Sequence, residues 1–160
     1  MNVSHHYDIS DELYDLFLDP KKQYSCAYFK SENDSLETAQ NYKIQHIIKK
    51  LNIKPNQKVL DIGCGWGSLA IDIAKSAKCE VTGITLSENQ LKYCKKRVKE
   101  LNLENQVKFK LVDYRELNEK FDRIVSVGMF EHVGRKFYKK FFNKIENLLK
   151  DDGISLVHTI

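Results

Sequence analysis

The stretch VLDIGCGWGSLA (residues 59–70) decides the fold of this chain. It begins with apolar, strand-forming residues, has glycine at every second position from 63 to 67, and continues with helix-forming residues. Such a turn between a buried strand and a helix is typical of the ligand-binding end of an open parallel sheet. Glycine permits the tight turn and leaves no Cβ between the backbone and a ligand. We therefore expect a ligand above this turn.

Strand and helix patterns alternate along the rest of the chain. Strands separated by helices predict βαβ units, and therefore an α/β fold with a parallel sheet and helices on both faces. Strands are predicted at residues 58–63, 80–86, 107–113, 122–129 and, after an Asp152-Gly153 turn, 154–160. Four helices are predicted. The first begins at a Ser35 cap and has Ile44, Ile47, Ile48 and Leu51 at helical spacing, the second covers 66–77, and the third runs from Ser87 to about Leu101. The fourth has an apolar stripe of Phe137, Phe141, Ile145, Leu148 and Leu149.

The bulk composition is that of one globular domain. The chain has 160 residues, of which 42% are hydrophobic and 30% charged. No apolar run approaches the roughly 18 residues of a membrane span, and the first residues do not resemble a signal peptide, so a cytoplasmic location is expected. The four cysteines lack zinc-site spacing, and no metal site is predicted.

The net charge of +4 is mild, but lysines concentrate at residues 92–99 and 135–140. Such runs are typical of a solvated helix face. They also suit attraction to an anionic lipid surface, where each basic residue contributes about 1 kcal/mol. Charge alone does not decide between these interpretations.

The spacing of the glycine turn narrows the choice of ligand. A dinucleotide fingerprint needs its third glycine one residue later, where Ser68 stands, and the G-K-[ST] of a phosphate loop is absent. Asp61 at the end of the strand suits a cationic ligand and would repel a diphosphate. Alternatively, its carboxylate caps its own turn. The form D-x-G-x-G-x-G resembles motif I of class I S-adenosylmethionine methyltransferases.

Further candidate residues follow the next two strands. The second strand offers no acid for ribose hydroxyls, and Thr85 and Gln90 are the nearest neutral substitutes. Gln90 also completes a capping box with Ser87, and one side chain could serve both purposes. Asp113 follows the third strand, where a carboxylate can accept from an adenine amino group, and Tyr114 can stack on the ring.

Several stretches together resemble the cyclopropane-fatty-acyl-phospholipid synthases and the cyclopropane mycolic acid synthases. The likeness covers essentially the whole chain and implies a Rossmann-like class I methyltransferase fold. The stretches are HHYDISDELYDLFLD (5–19), QYSCAYF (23–29), VLDIGCGWG (59–67), DRIVSVGMFEHVG (122–134) and the closing LVHTI (156–160).

The resemblance implies methyl transfer from S-adenosylmethionine to a cis double bond of an unsaturated phospholipid acyl chain, followed by closure of a cyclopropane ring. The intermediate carbocation must be kept from water and lose a proton to a base. In this family the base is a bound bicarbonate, which the motif match places against the backbone of Cys26 and Ile160 and the side chains of Glu131 and His158. Taken singly, three of these residues have ordinary structural interpretations. Cys26 is also typical of a small buried thiol, Glu131 of an acid in the first turn of a helix, and His158 of a core histidine.

The same resemblance implies the residues around the cofactor and the lipid. It places Tyr7 near the acyl chain, within an N-terminal cover formed by residues 1–34, and the S-adenosylmethionine-binding domain at 35–160. We also expect peripheral contact with an anionic membrane surface, in keeping with the lysine runs, and no nucleic acid partner. The implied cofactor residues are Tyr24, Ser25, Asp61, Gly63, Gly65, Trp66, Gly67, Thr85, Leu86, Gln90, Asp113, Tyr114 and Arg115.

Three other hypotheses remain open at this point. A class I methyltransferase could instead make a methyl branch or act on a small amine, and the chain could be a non-catalytic cofactor-binding fragment. A nicotinamide dehydrogenase is disfavoured by Ser68 and the missing ribose acid. Because family members are longer, we expect a fragment that is truncated after its fifth strand and inactive alone. An apolar sheet edge at 154–160 is then expected to be open.

Overall fold

The structure, a computed structural model, describes residues 11–160 and contains a five-stranded sheet in the order β3-β2-β1-β4-β5. All neighbouring strands are parallel, which confirms the predicted fold class. The strands are β1 Lys58–Ile62, β2 Glu80–Thr85, β3 Val107–Leu111, β4 Phe121–Val127 and β5 Leu149–His158. The helices are α1 Asp11–Phe17, α2 Leu36–Leu51, α3 Ser68–Ala77, α4 Glu88–Glu100 and α5 Tyr138–Leu148.

Two helices begin at the caps that the sequence predicts. The Ser35 hydroxyl accepts the Thr38 N–H ahead of α2, and the Ser87 hydroxyl accepts the Gln90 N–H ahead of α4. Each bond satisfies a backbone donor that the first helical turn leaves without a partner. Both caps therefore fix where the chain leaves an extended conformation and enters a helix.

Apolar side chains cover the sheet on both faces. Helices α2, α3 and α4 pack on one face, where Leu51 and Cys94 are fully buried. Helix α5 packs on the other face, through Phe141 and Leu148. Burial of each large apolar side chain contributes about 1.5–3 kcal/mol, so these two layers stabilise the packing of the helices on the sheet. Buried Arg123 on β4 donates to the Leu51 carbonyl at the end of α2, at 2.6 Å.

Two predictions near the C-terminus are wrong in detail. Phe137 lies in a 3-10 turn ahead of α5 and is 42% exposed, and Leu149 begins β5 rather than ending the helix. The Asp152-Gly153 turn is absent as a separate turn. Instead β5 starts directly after α5, and its register against β4 jumps from the pair Phe121–Leu149 to the pair Arg123–Ile154. The extra residues form a bulge.

The sheet order reverses beside its central strand. From β1 the chain proceeds outward to β2 and β3, and then returns to place β4 on the other side of β1. Side chains and loops at the carboxyl ends of β1 and β4 therefore diverge and leave a crevice. Within the described residues, β5 pairs only with β4, so its other side is an open edge. No helix of the described range is long and apolar enough to cross a membrane.

Candidate active site

A cavity of about 650 Å³ lies at the carboxyl ends of β1, β2 and β4, where the sheet order reverses. It has the size and the place expected for a ligand site in this fold. The residues predicted for the cofactor line it, except Gly67. Those in its wall are Tyr24, Ser25, Asp61, Gly63, Gly65, Trp66, Thr85, Leu86, Gln90, Asp113, Tyr114 and Arg115.

Gly67 faces the core instead of the cavity. Its φ is +81°, and a Cβ there would lie 2.6 Å from Phe109 Cζ and 2.8 Å from Cys94 Sγ. No side chain fits that space without displacing the aromatic ring. This glycine therefore lets α3 start close to the sheet, and it acts on the site only by placing the turn.

Asp61 is the most unusual group in the cavity wall. It is 2% exposed, and its Oδ2 atom has no hydrogen-bond partner among the described residues. The expected alternative, a cap of its own turn, is therefore not seen at this oxygen. Burial raises the pKa of the Asp61 carboxyl to about 7, because a charged carboxylate is poorly solvated there. A cationic ligand group would supply the missing partner.

Thr85 and Gln90 form one hydrogen-bonded unit at the end of β2. The Thr85 hydroxyl donates to Gln90 Oε1 at 2.7 Å and accepts the Ser87 N–H at 3.1 Å. The predicted capping box is therefore modified. Thr85, instead of Gln90, accepts the Ser87 N–H, and the Gln90 side chain contacts Thr85. Both side chains still line the cavity, and they present neutral polar groups there.

Asp113 is engaged by its neighbour. Its carboxylate accepts from Arg115 Nε at 2.9 Å and from the terminal guanidinium nitrogen at 2.6 Å. The Arg115 guanidinium lowers the pKa of the Asp113 carboxyl, against the effect of burial. Tyr114 packs edge-on against Phe141, with ring centroids 5.4 Å apart, and lines the cavity. Its ring is therefore held in place for contact with a planar ligand group.

The N-terminal segment forms one wall of the cavity. Tyr14 on α1 is buried and packs edge-on against Trp66 and Tyr24, at 5.7 Å in each case. The Lys22 ammonium lies 5.1 Å from the Trp66 ring. The aromatic residues of the predicted cover thus dock onto the glycine turn. Tyr7, predicted to contact substrate, lies outside the described residues.

None of the four residues predicted to bind bicarbonate lines the cavity, although each adjoins a segment that does. The Ile160 N–H donates to Glu131 Oε1 at 3.2 Å, while Glu131 Oε2 and His158 Nδ1 are buried without partners among the described residues. The His158 carbonyl accepts the Gly128 N–H at 3.1 Å, and Gly128 packs against Ser25. Cys26 follows Ser25 and is exposed. The structure thus brings Glu131 and Ile160 into contact and places Cys26 and His158 on the two segments that Gly128 joins.

Two residues that sequence reasoning missed hold this wall in place. Gln40 donates to the Ser25 carbonyl at 2.9 Å, and Lys43 donates to the Ser25 hydroxyl at 2.7 Å. Both are buried and lie one turn apart on α2. The available signal was that Gln40 and Lys43 each precede an apolar residue, Ile44 or Ile47, by four positions, which puts them on the face of the helix that the pattern predicts to be buried.

Comparison with known proteins agrees with this arrangement. The family described as mycolic acid cyclopropane synthetase matches residues 1–160. Cyclopropane-fatty-acyl-phospholipid synthase of Escherichia coli K12 is 50% identical over 155 residues, which cover 97% of this chain and 39% of that enzyme. The chain therefore spans well under half the length of that relative.

Two solved structures share the fold over almost the whole chain. The cyclopropane synthase MmaA2 from Mycobacterium tuberculosis has a TM-score of 0.94 and 41% identity, covering 98% of this chain and 55% of that one. Mycolic acid cyclopropane synthase CmaA1 complexed with SAH and CTAB has a TM-score of 0.92 and 39% identity, covering 97% and 54%. Since the family model matches residues 1–160, the chain belongs to the mycolic acid cyclopropane synthetase family.

Proposed function

We propose that this chain forms the S-adenosylmethionine-binding part of an enzyme that methylates a cis double bond in an unsaturated phospholipid acyl chain and closes a cyclopropane ring. The single observation that carries the proposal is Asp61, a buried carboxylate whose Oδ2 has no partner in the described part of the chain, in a cavity beside the glycine turn. A cationic cofactor satisfies it. The names of the relatives and the SAH in the CmaA1 structure support the same cofactor and reaction.

The donor set of the cavity fits each part of S-adenosylmethionine. Asp61 would accept from the ammonium, Thr85 and Gln90 offer neutral groups to the ribose hydroxyls, and Tyr114 offers a ring to the adenine. S-adenosylmethionine supplies an electrophilic methyl group on a positive sulfur. The chain's own part is to orient that group and to exclude water. On one side Tyr24 and Trp66 in the cavity wall do this, with Tyr14 packed behind Trp66.

The residues predicted to bind bicarbonate suit the deprotonation step that follows methyl transfer. Ring closure requires that the carbocation lose a proton, and a bound bicarbonate would supply the base. Glu131 Oε2 and His158 Nδ1 are buried and unpartnered among the described residues, so both have capacity for such a ligand. Glu131 would accept the bicarbonate hydroxyl, and this would turn a basic oxygen away from the carboxylate. Cys26 would contribute its backbone N–H, and the Ile160 N–H, which here donates to Glu131 Oε1, would turn to the anion when it binds.

The rim of the cavity suits an approach to lipid. Phe137 and Lys140 line the cavity, and Phe137 and Phe142 are 42% and 49% exposed. The Lys136 and Lys140 ammonium groups lie 5.0 and 5.9 Å from the Phe137 ring. An exposed aromatic residue among lysines favours an anionic lipid surface over a merely solvated helix face.

A chimera tests the proposed reaction. The 155 residues that match in the E. coli synthase are replaced by this chain, and the chimera is incubated with S-adenosylmethionine and unsaturated phospholipid vesicles. We expect product acyl chains heavier by one CH₂, the mass of a ring closure. A methyl branch on a saturated chain carries two further hydrogens. Either that product or a folded, SAH-binding chimera that modifies no lipid would contradict the proposal.

The glycine turn yields a separate prediction. Gly65 has φ +53° and open space where a Cβ would stand, whereas a Cβ on Gly83 would lie 2.5 Å from Phe109 Cε1. We expect Gly65→Ala to fold with a loss of about 1–2 kcal/mol but to bind SAH at least about tenfold more weakly, because its methyl group occupies ligand space. Gly83→Ala is expected to lose about 1–3 kcal/mol of stability through overpacking. Denaturant titration and calorimetry separate the two effects.

A further inference from the structure

A lysine on α2 is buried where the helix borders the cavity. Lys43 is 6% exposed and lines the cavity together with Ser25 and Asp61. Lysine is almost never fully buried unless its charge is paired. Lys43 is the one charged side chain on the buried face of α2, beside the neutral Gln40 and four apolar residues, and its burial therefore needs an explanation beyond packing.

The described residues do not supply that explanation. The Lys43 ammonium donates to the Ser25 hydroxyl at 2.7 Å, and among the side chains that the structure describes, which begin at residue 13, no carboxylate forms an ion pair with it. An ammonium group has three donors, so two remain for another partner. Burial lowers the pKa of the Lys43 amine to about 8, an effect that Asp19 and the Cys26 thiol partly oppose. The amine is therefore mainly cationic at neutral pH.

Among the side chains described, the cavity thus holds one buried lysine and one buried aspartate that have no oppositely charged partner. Asp61 and Lys43 both line it, at β1 and α2 respectively. A ligand that satisfies both must carry a cation and an anion of its own, as a free amino acid group does. A diphosphate would satisfy Lys43 and be repelled by Asp61.

We propose that Lys43 and Ser25 bind the carboxylate of the amino acid part of S-adenosylmethionine, opposite the ammonium that Asp61 accepts. This assignment rests on the proposed function, because it takes that cofactor as the occupant of the cavity. The Glu131 and His158 pair does not line the cavity, so bicarbonate is the less suitable partner for Lys43. Gln40 supports the assignment by holding the Ser25 backbone from the same helix.

The test compares two ligands that differ only in the carboxylate. Calorimetry measures binding of S-adenosylmethionine and of decarboxylated S-adenosylmethionine to the wild-type chain and to Lys43→Met. We expect Lys43→Met to lose at least tenfold in affinity for S-adenosylmethionine and less than threefold for the decarboxylated ligand. Lys21→Met is the matched control. It removes a lysine that ties the same segment to Asn41 of α2 but does not line the cavity, so both affinities should stay unchanged.

Each other outcome overturns the assignment. Equal losses for both ligands give Lys43 a purely structural role, and unchanged affinities with a raised bicarbonate requirement in the chimera assign it to that anion. If the folded wild-type chain binds neither ligand, the result instead contradicts the proposed function, because that function requires the chain to bind S-adenosylmethionine. If Lys43→Met does not fold, the same comparison is made with Ser25→Ala, which removes the hydroxyl that accepts from Lys43. We expect it to lose at least threefold in preference for the carboxylate, and no loss contradicts the proposal.

Discussion

Replacing Asp61 by asparagine is expected to weaken SAH binding at least about 100-fold and, at the same time, to stabilise the ligand-free protein. Binding falls because a buried charge pair loses one partner, which costs about 2–5 kcal/mol. Stability rises because the carboxylate is 2% exposed and lacks a partner at Oδ2 among the described residues. The amide has nearly the same shape and carries no charge.

The pH dependence of this effect has a definite sign. Burial raises the pKa of Asp61 from 3.8 to about 7, so the folded protein holds the proton more tightly than the unfolded chain does. The contribution to stability is present below pH 3.8 and is lost as pH rises towards 7. At pH 8 we expect Asp61→Asn to be more stable than wild type by about 2 kcal/mol or more, and at pH 4 nearly equal.

Thermal unfolding across this range, with and without SAH, checks both halves of the prediction. A cationic ligand favours the ionised carboxylate, so SAH affinity in the wild type should increase as pH rises through about 7. Asp113→Asn is the matched control. Because Arg115 lowers the pKa of Asp113, that variant should gain no stability at any pH. If Asp61→Asn binds SAH as tightly as the wild type does, Asp61 does not contact the ligand.

Glu131→Gln is expected to reduce product formation by the chimera at least about 100-fold while changing SAH affinity less than threefold. General acid and base groups contribute about 10²–10⁴ in rate. Glu131 does not line the cavity, so binding of the cofactor should not depend on it. Glutamine still accepts the Ile160 N–H through its one oxygen, but its amide nitrogen is a donor where Oε2 would accept the bicarbonate hydroxyl.

The measurement is methyl transfer to phospholipid vesicles at several bicarbonate concentrations, with SAH affinity from calorimetry. A raised bicarbonate requirement in Glu131→Gln would support a direct contact with the anion. Glu119→Gln is a suitable control, because Glu119 pairs with Lys58 and Lys110 away from the cavity. Full turnover by Glu131→Gln would reduce Glu131 to a structural acceptor for the C-terminal backbone.

The sequence predicts the sheet and the glycine turn because local patterns determine them. Residues 59–70 contain a buried strand, a turn with positive φ and a helix start in one stretch, and β1 and α3 form there. The bulge at 150–153 depends on how β5 pairs with β4, which no local pattern specifies. For the same reason the apolar stripe predicts α5 one residue too long at each end, at Phe137 and at Leu149.

The site residues divide in the same way. Asp61, Thr85 and Gln90 are predictable because they follow parallel strands, and the carboxyl ends of these strands meet at one edge of the sheet. Lys43 is not predictable, because helical periodicity indicates a buried face without indicating that a cavity borders it. The grouping of Glu131 with Ile160 comes from the family resemblance alone, since the two are separated by an entire helix and strand.

Calorimetric titration of the chain with SAH and with NADH tests the central claim most directly. We expect SAH to bind at one site per chain, with displacement by S-adenosylmethionine, and NADH to give no heat of binding. Asp61 and Asp113 in the cavity wall would oppose its diphosphate. Saturable binding of NADH, together with no response to either adenosyl ligand, would contradict the account.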